Sequence, residues 1–210
     1  MQKAVVFWSG GKDAAWALHR ARPPYQIAAL ITTISSSGGS VPIHNVAKEH
    51  IEAQAAALDL PLWTVPLPQP CSNSEYAARL RPIWERARAE AITTAIFGDL
   101  FLADIRAWRE QLMASTGITP VFPLWSNDTR ALAREMLAGG IDASICAVDT
   151  NVLSAELIGQ SWSESFIREL PSSVDPCGEN GEFHTFVWNM PGFSMAVARS
   201  CGVTIPTRPR

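Results

Sequence analysis

One stretch restricts the fold of this chain more than any other: Val5-Val6-Phe7-Trp8-Ser9-Gly10-Gly11-Lys12-Asp13-Ala14-Ala15-Trp16. Residues 3–7 are mostly apolar and partly β-branched, the pattern of a central parallel strand. Gly10 and Gly11 permit a sharp turn and leave backbone N–H groups uncovered. A helix follows from near Lys12, with Ala14, Ala15, Trp16, Ala17 and Leu18 as its apolar body. Such a helix start is an anion site, because its free N–H groups and roughly half a positive charge from the helix dipole act together. Ser9 adds a hydroxyl and Lys12 a full charge. Asp13 would repel phosphate unless it carries a bridging Mg²⁺. The alternative is a plain α/β turn in which Asp13 only stabilises the helix start. The spacing fits neither a Walker A loop nor G-x-G-x-x-G.

Composition narrows the class. The chain has 210 residues, 47% hydrophobic and 18% charged, enough for one domain or a domain with a smaller lobe. A net charge of -3 argues against a nucleic-acid surface. No run of about 18 apolar residues suggests a membrane span. The N-terminus enters a strand without a basic-then-apolar leader, so a cytoplasmic location is expected. Cys71, Cys146, Cys177 and Cys201 are far apart with no C-x-x-C, and read as free thiols.

Strand and helix patterns then alternate. Residues 27–33 form a second strand whose end lies near the first loop; Thr32 is a candidate adenine contact through its backbone, or simply a strand residue. Residues 35–42, rich in Ser and Gly, predict a mobile loop. His44 and Asn45 precede a helix with Val46, Ile51, Ala55 and Leu58 as apolar positions; His44 is either a substrate-side group or a plain polar residue. Residues 60–65 form a strand, and Ser74 is the expected N-cap of a helix reaching residue 91. The next strand, 94–98, ends at Gly98-Asp99. Gly98 would let ribose or phosphate approach the backbone, and Asp99 would bind Mg²⁺ or cap a helix. A helix over 104–116, with Gly117 as its C-cap, precedes a strand at 119–122. The predicted fold is α/β: an open, mostly parallel sheet with helices on both faces, Rossmann-like and nucleotide-binding. Pro123-Leu124-Trp125 breaks the rhythm. Residues 1–122 are taken as the domain that carries the phosphate loop, and 123–210 as a smaller C-terminal α+β lobe for substrate.

A second cluster occupies residues 177–187. Asn180-Gly181 predicts a type I′ hairpin with Glu179 and Glu182 opposed, their Cβ atoms about 5 Å apart. Like charges there require a metal, a bound cation such as ammonium, or a raised pKa. Glu182, His184 and Phe186 would share one strand face. The alternative is an exposed polar hairpin with solvated glutamates, or a buried structural His184.

The segment Ser9-Gly10-Gly11-Lys12-Asp13 resembles the pyrophosphate loop of the ATP pyrophosphatases, with Ala14 where those enzymes usually carry Ser. Four further segments make the resemblance narrower: the helix containing Ala53, Gln54, Ala55 and Leu58 after a His-containing loop; Gly98-Asp99; Pro123-Leu124-Trp125; and Gly178-Glu179-Asn180-Gly181-Glu182-Phe183-His184-Thr185. In that order they resemble the diphthine–ammonia ligase family across nearly the whole chain, with Ser126 where the family usually has Gly. The resemblance implies an ATP-dependent, amide-forming ligase that adenylates a carboxylate and releases AMP and pyrophosphate. It implies ATP and Mg²⁺ as cofactors, ammonium as a substrate, and diphthine on elongation factor 2 as acceptor where the source makes it. Ser9, Gly10, Gly11, Lys12, Asp13, Thr32 and Gly98 are then the ATP-binding candidates, and Asp13 and Asp99 the metal ligands. Lys12, Glu179, Glu182 and His184 are the catalytic candidates. Remaining alternatives are a different small carboxylate, an ATP- or AMP-binding regulatory module without turnover, and tRNA modification, which the charge and the missing C-x-x-C disfavour. Neither a membrane nor a nucleic-acid partner is expected, and a homodimer is left open.

Overall fold

The computed structural model describes residues 1–199 apart from Gly38, Ile43 and Asn45. Asn45 and Cys201, both named above, therefore lie outside the described residues. Along the chain run β1 (Gln2–Phe7), α1 (Lys12–Ala21), β2 (Tyr25–Ser35), β3 (Ser40–Val41), β4 (Val46–Ala47), α2 (Lys48–Ala57), β5 (Leu62–Leu67) and α3 (Asn73–Ala89). There follow β6 (Thr94–Ile96), α4 (Ala103–Met113), β7 (Thr119–Val121), α5 (Thr129–Ala138), β8 (Asp142–Val148), a 3-10 turn at Ala155–Leu157, β9 (Ser161–Trp162), α6 (Glu164–Glu169) and β10 (Phe183–Asn189).

Five strands make a parallel sheet in the order β5-β2-β1-β6-β7, as the strand–helix alternation requires. The order reverses beside β1, whose neighbours are β2 on one side and β6 on the other. In open α/β sheets that reversal opens a crevice at the carboxyl ends of the strands. The 9–13 loop leaves β1 there, and Gly98-Asp99 follow β6 at the same edge. A second, antiparallel sheet has the order β10-β8-β9.

Alternation along β1 shows why its sequence is apolar on both faces. Ala4, Val6 and Trp8 join the core shared with α1, α2, α5 and the second sheet, while Val5 joins the core under α3 and α4. The first of these cores is continuous across the two sheets, since Val6, Ile145, Phe186 and Val187 all belong to it. Lying against both sheets, α1 buries Ala14, Ala15, Trp16, Ala17, Leu18 and Ala21. A helix that is apolar around most of its circumference is a buried helix. Full burial of each large apolar side chain contributes about 1.5–3 kcal/mol.

Three local expectations are corrected. The stretch expected as a mobile loop carries strand on both sides: β2 runs on to Ser35, and β3 pairs antiparallel with β4. Val41 and Val46 oppose each other and are both buried, which anchors the hairpin. The N-cap of α3 is Ser72 rather than Ser74; its hydroxyl accepts from Glu75 N at 3.2 Å, the geometry that a cap needs. Helix α4 ends at Ala114, and Gly117 (φ +74°) sits in the following turn instead of capping it. By contrast Asp128 caps α5, accepting from Ala131 N at 2.8 Å, and Gly139 ends it. Among the described residues no helix is long and apolar enough to cross a membrane.

Candidate functional site

The 9–13 loop is held from three directions. Gly10 takes φ +83°, a conformation glycine adopts without strain, and a Cβ on it would lie 2.6 Å from Ile51 Cδ1 of α2. The Gly10 carbonyl accepts from Val187 N of β10 at 2.9 Å and from Gln54 Nε2 of α2 at 3.1 Å. Gln54 has no exposed surface and uses its whole amide: it also donates to Val187 O at 2.6 Å and accepts from Trp8 Nε1 at 2.8 Å. A trans peptide is planar with its C=O and N–H opposed. Tying the Gly10 carbonyl inward therefore turns the Gly11 N–H the other way. The sequence reading took Gln54 only as part of a helix pattern; a lone Gln among alanines on a buried helix face was the available signal.

Two amides expected to be uncovered are met by hydroxyls. Gly11 N donates to Ser9 Oγ at 3.3 Å, and Lys12 N donates to Thr185 Oγ1 of β10 at 3.1 Å. Both hydroxyls are single, rotatable acceptors on the N–H groups that an anion would use. Over Gly11 sit Thr185 O and His44 Nε2, 3.1 and 3.3 Å from where its Cβ would be. His44, at the β3–β4 turn, meets His184 of β10 with ring centroids 4.6 Å apart. Burial pushes the His44 imidazole down to about 3, with His184 and Lys12 acting the same way, so it is neutral near pH 7.

Lys12 is 2% exposed and turned inward. Its ammonium donates to both carboxylate oxygens of Asp13, at 3.0 and 2.8 Å, and to the Cys177 carbonyl. The rings of Trp162 and Phe183 stand 5.6 and 5.5 Å away. Burial opposes its charge, but Asp13, Cys177 and Glu179 outweigh that and hold the ammonium above its ordinary range. Lys12 thus clasps the loop to the 175–182 turn instead of extending into the crevice beside the loop amides.

That turn differs from the expected hairpin. Gly181 N closes on Gly178 O at 3.0 Å, and Asn180 does not take the positive φ that a type I′ turn needs at both central positions. No strand precedes it, because β10 pairs with β8 rather than with the residues just upstream. Glu179 and Glu182 are consequently pulled apart. Glu179 reaches across to the β6 loop, where Oε1 accepts from Leu100 N at 2.7 Å. Glu182 turns inward, is 6% exposed, and accepts from Asp175 N at 3.0 Å and Asn180 Nδ2 at 2.9 Å. Through Oε1 Glu182 braces the turn, and the expected opposition of Glu179 and Glu182 is not formed. Asp175 completes the brace: it accepts from Cys177 N at 2.8 Å and from Thr129 Oγ1 of α5 at 2.6 Å. Burial drives the Glu179 carboxyl up to about 7; the Leu100 amide restrains the rise, and Asp13 and Asp99 add to it. The Cys177 thiol, also buried, is raised and stays protonated.

Three other expectations change position. Thr32 lies inside β2 rather than at its end, paired with Thr64, and its hydroxyl donates to Trp8 O at 2.7 Å. A Cβ on Gly98 would fall 2.8 Å from the Asp13 carbonyl carbon and 2.9 Å from Ala14 N, so Gly98 makes room for the first turn of α1. Asp99 is ion-paired with Arg109 at 2.8 Å. Among the described residues no group of three or more His, Cys, Asp or Glu side chains is placed to hold a metal ion alone. Mg²⁺ takes only one or two carboxylates when phosphates complete its shell, and the partly exposed Asp13 fits that pattern.

The diphthamide synthase N-terminal domain model matches residues 2–120, and the diphthamide synthase C-terminal domain model matches residues 128–199. The chain is 24% identical over 218 residues to a diphthine–ammonia ligase of Schizosaccharomyces pombe, covering 93% of this chain but 36% of that protein. It is 26% identical to the diphthine–ammonia ligase of Danio rerio, covering 93% of this chain and 85% of the relative. Among solved structures, one described as a predicted subunit of tRNA methyltransferase from Methanocaldococcus jannaschii aligns at 18% identity and TM-score 0.44, over 69% of this chain and 78% of that one.

Proposed function

The chain belongs to the diphthamide synthase family, and from that premise we propose that it is an ATP-dependent carbon–nitrogen ligase. A substrate carboxylate attacks the α-phosphorus of ATP, pyrophosphate leaves, and ammonia then displaces AMP from the acyl-adenylate to give an amide. The acceptor is a carboxylate of the diphthine type, as in the names of the relatives, or a smaller carboxylate in a source without diphthine.

The observation that carries this reading is Glu179: a carboxyl titrating at about 7, held by the Leu100 amide between the pyrophosphate loop and the β6 edge. A group with that pKa is matched to taking a proton near neutral pH. Ammonium must lose a proton before its nitrogen can attack, and Glu179 is the acceptor. Neutral His44, with His184 beside it, stands over Gly11 of the loop and offers a ring nitrogen without adding repulsive charge. Ser9 and the amides of Gly11, Lys12 and Asp13 receive the phosphates, with Thr185 and Ser9 hydroxyls yielding their hydrogen bonds to the anion. Lys12 contributes its charge from beneath, where the low dielectric strengthens it. Asp13 would hold Mg²⁺, which supplies charge neutralisation of the triphosphate.

The test is release of AMP and pyrophosphate from ATP and Mg²⁺, with ammonium and a panel of carboxylic acids that includes a diphthine-bearing acceptor. Glu179→Gln is expected to keep ATP affinity and lower turnover by roughly 10²–10⁴-fold. It should also erase the rise in rate through pH 7. Wild-type turnover in that variant removes Glu179 from the reaction, and no nucleotide cleavage with any acceptor removes the ligase reading. Lys12→Met is less discriminating, since it strands Asp13 and should cost roughly 3–5 kcal/mol of stability as well.

A further inference from the structure

A cavity of about 310 Å³ lies away from the loop, lined by Arg130 and Arg134 of α5 and by Glu164, Ile167 and Arg168 of α6. Three guanidiniums thus face one carboxylate in a chain whose net charge is -3. The arginines at 20, 79, 86, 106 and 109 each meet an acid. Among the described residues, Arg130, Arg134 and Arg168 have no ion pair, which they share with Arg22, Arg81, Arg88 and Arg199, but these three are gathered around one cavity. Glu164 and Arg168 are spaced to pair along α6, yet they do not. Arg130 and Arg134 are one helical turn apart, where like charges repel. Arg130 also lies in the first turn of α5, where the helix dipole is already positive. An anion placed among the three guanidiniums offsets the Arg130–Arg134 repulsion and the positive dipole at the start of α5, while Glu164 opposes it.

We infer that the α5–α6 cavity is an accessory binding site for a phosphate dianion or a phosphate monoester. The lining carries a net charge of two positive, which a phosphate neutralises and a single carboxylate does not. Guanidinium forks from two helices suit a tetrahedral group with several acceptor oxygens. The volume is at the small end of ligand pockets, which run from about 300 to 1,000 Å³. Both helices also touch the residues around Lys12 and the 175–182 turn. Thr129, next to Arg130, bonds Asp175 at 2.6 Å, and Phe166 of α6 packs edge-on to Phe183, the ring beside Lys12. A phosphate seated here would therefore stand close behind the 175–182 turn.

The full chain is titrated with inorganic phosphate and, separately, with O-phosphoserine, followed by phosphorus NMR line broadening. Arg134→Gln and Arg168→Gln should each weaken saturable binding by about tenfold or more, with the melting temperature unchanged because both side chains are exposed. Glu164→Gln should tighten it several-fold, the opposite sign, by removing the one repelling charge. Equal affinity for phosphate in all three variants, or no saturable binding by the wild type, overturns the proposal. Equal binding of the two probes supports a phosphate carried on a larger substrate; binding of inorganic phosphate alone supports the free ion as ligand.

Discussion

Gln54 has the least freedom of any polar side chain near the loop. Its amide meets Trp8 Nε1–H and the Val187 carbonyl, and shares the Gly10 carbonyl with Val187 N. Gln54→Met keeps the length and the packing and removes all three bonds. Each stranded group costs about 1–3 kcal/mol, moderated at Gly10 by the remaining bond from Val187 N. Because the Gly10–Gly11 peptide loses one of its two tethers, the KM for ATP should rise by roughly tenfold with kcat little changed once ATP saturates. Pyrophosphate release kinetics beside thermal unfolding check this. A lower melting temperature with an unaltered KM would reduce Gln54 to a packing residue.

At the scale of elements, the contact that matters is β6 against the first turn of α1. Gly98 has no room for a side chain there, since the atoms it would strike are backbone of Asp13 and Ala14. Gly98→Ala should push the helix start away from the sheet, lowering stability by about 1–3 kcal/mol and weakening ATP binding with it. Gly181 provides the contrast. It has φ +88° and open space around it, so Gly181→Ala should cost only the backbone penalty of about 1–2 kcal/mol and leave ATP affinity alone. Urea unfolding and nucleotide titration of the two variants separate crowding from backbone strain.

At the scale of the whole molecule, half-buried His44 and half-buried Glu179 titrate in opposite senses. His44 takes up a proton at about 3 in the native chain and near pH 6.5 when unfolded, so it makes stability fall as pH drops below about 6.5. Glu179 takes up its proton at about 7 in the native chain and near pH 4.3 when unfolded, so it makes stability rise as pH drops below about 7. Between about pH 4.3 and 6.5 the two slopes, each at most about 1.4 kcal/mol per pH unit, cancel. Relative to wild type, His44→Gln should gain stability on acidification through that window and Glu179→Gln should lose it. Denaturant midpoints measured across the window would show the two profiles diverging; parallel profiles would mean that neither group is perturbed.

The sequence by itself determined whatever rests on neighbours a few residues apart. The apolar β1, the turn at Gly10 and Gly11 and the start of α1 at Lys12 are local in this sense, and so is the strand–helix alternation that dictates a parallel sheet. The active groupings were decided only by tertiary structure, because their partners are remote in sequence. Glu179 finds the Leu100 amide 79 positions away, Gln54 finds Val187 133 positions away, and Lys12 N meets the Thr185 hydroxyl 173 positions away. The Asn180-Gly181 pair signals a hairpin only if strands flank it on both sides. Here β10 pairs with β8 instead, and that choice turned Glu182 into a brace while leaving Glu179 facing the loop. Charge and burial at a site depend on which chain segments close over it, and local spacing carries no record of that.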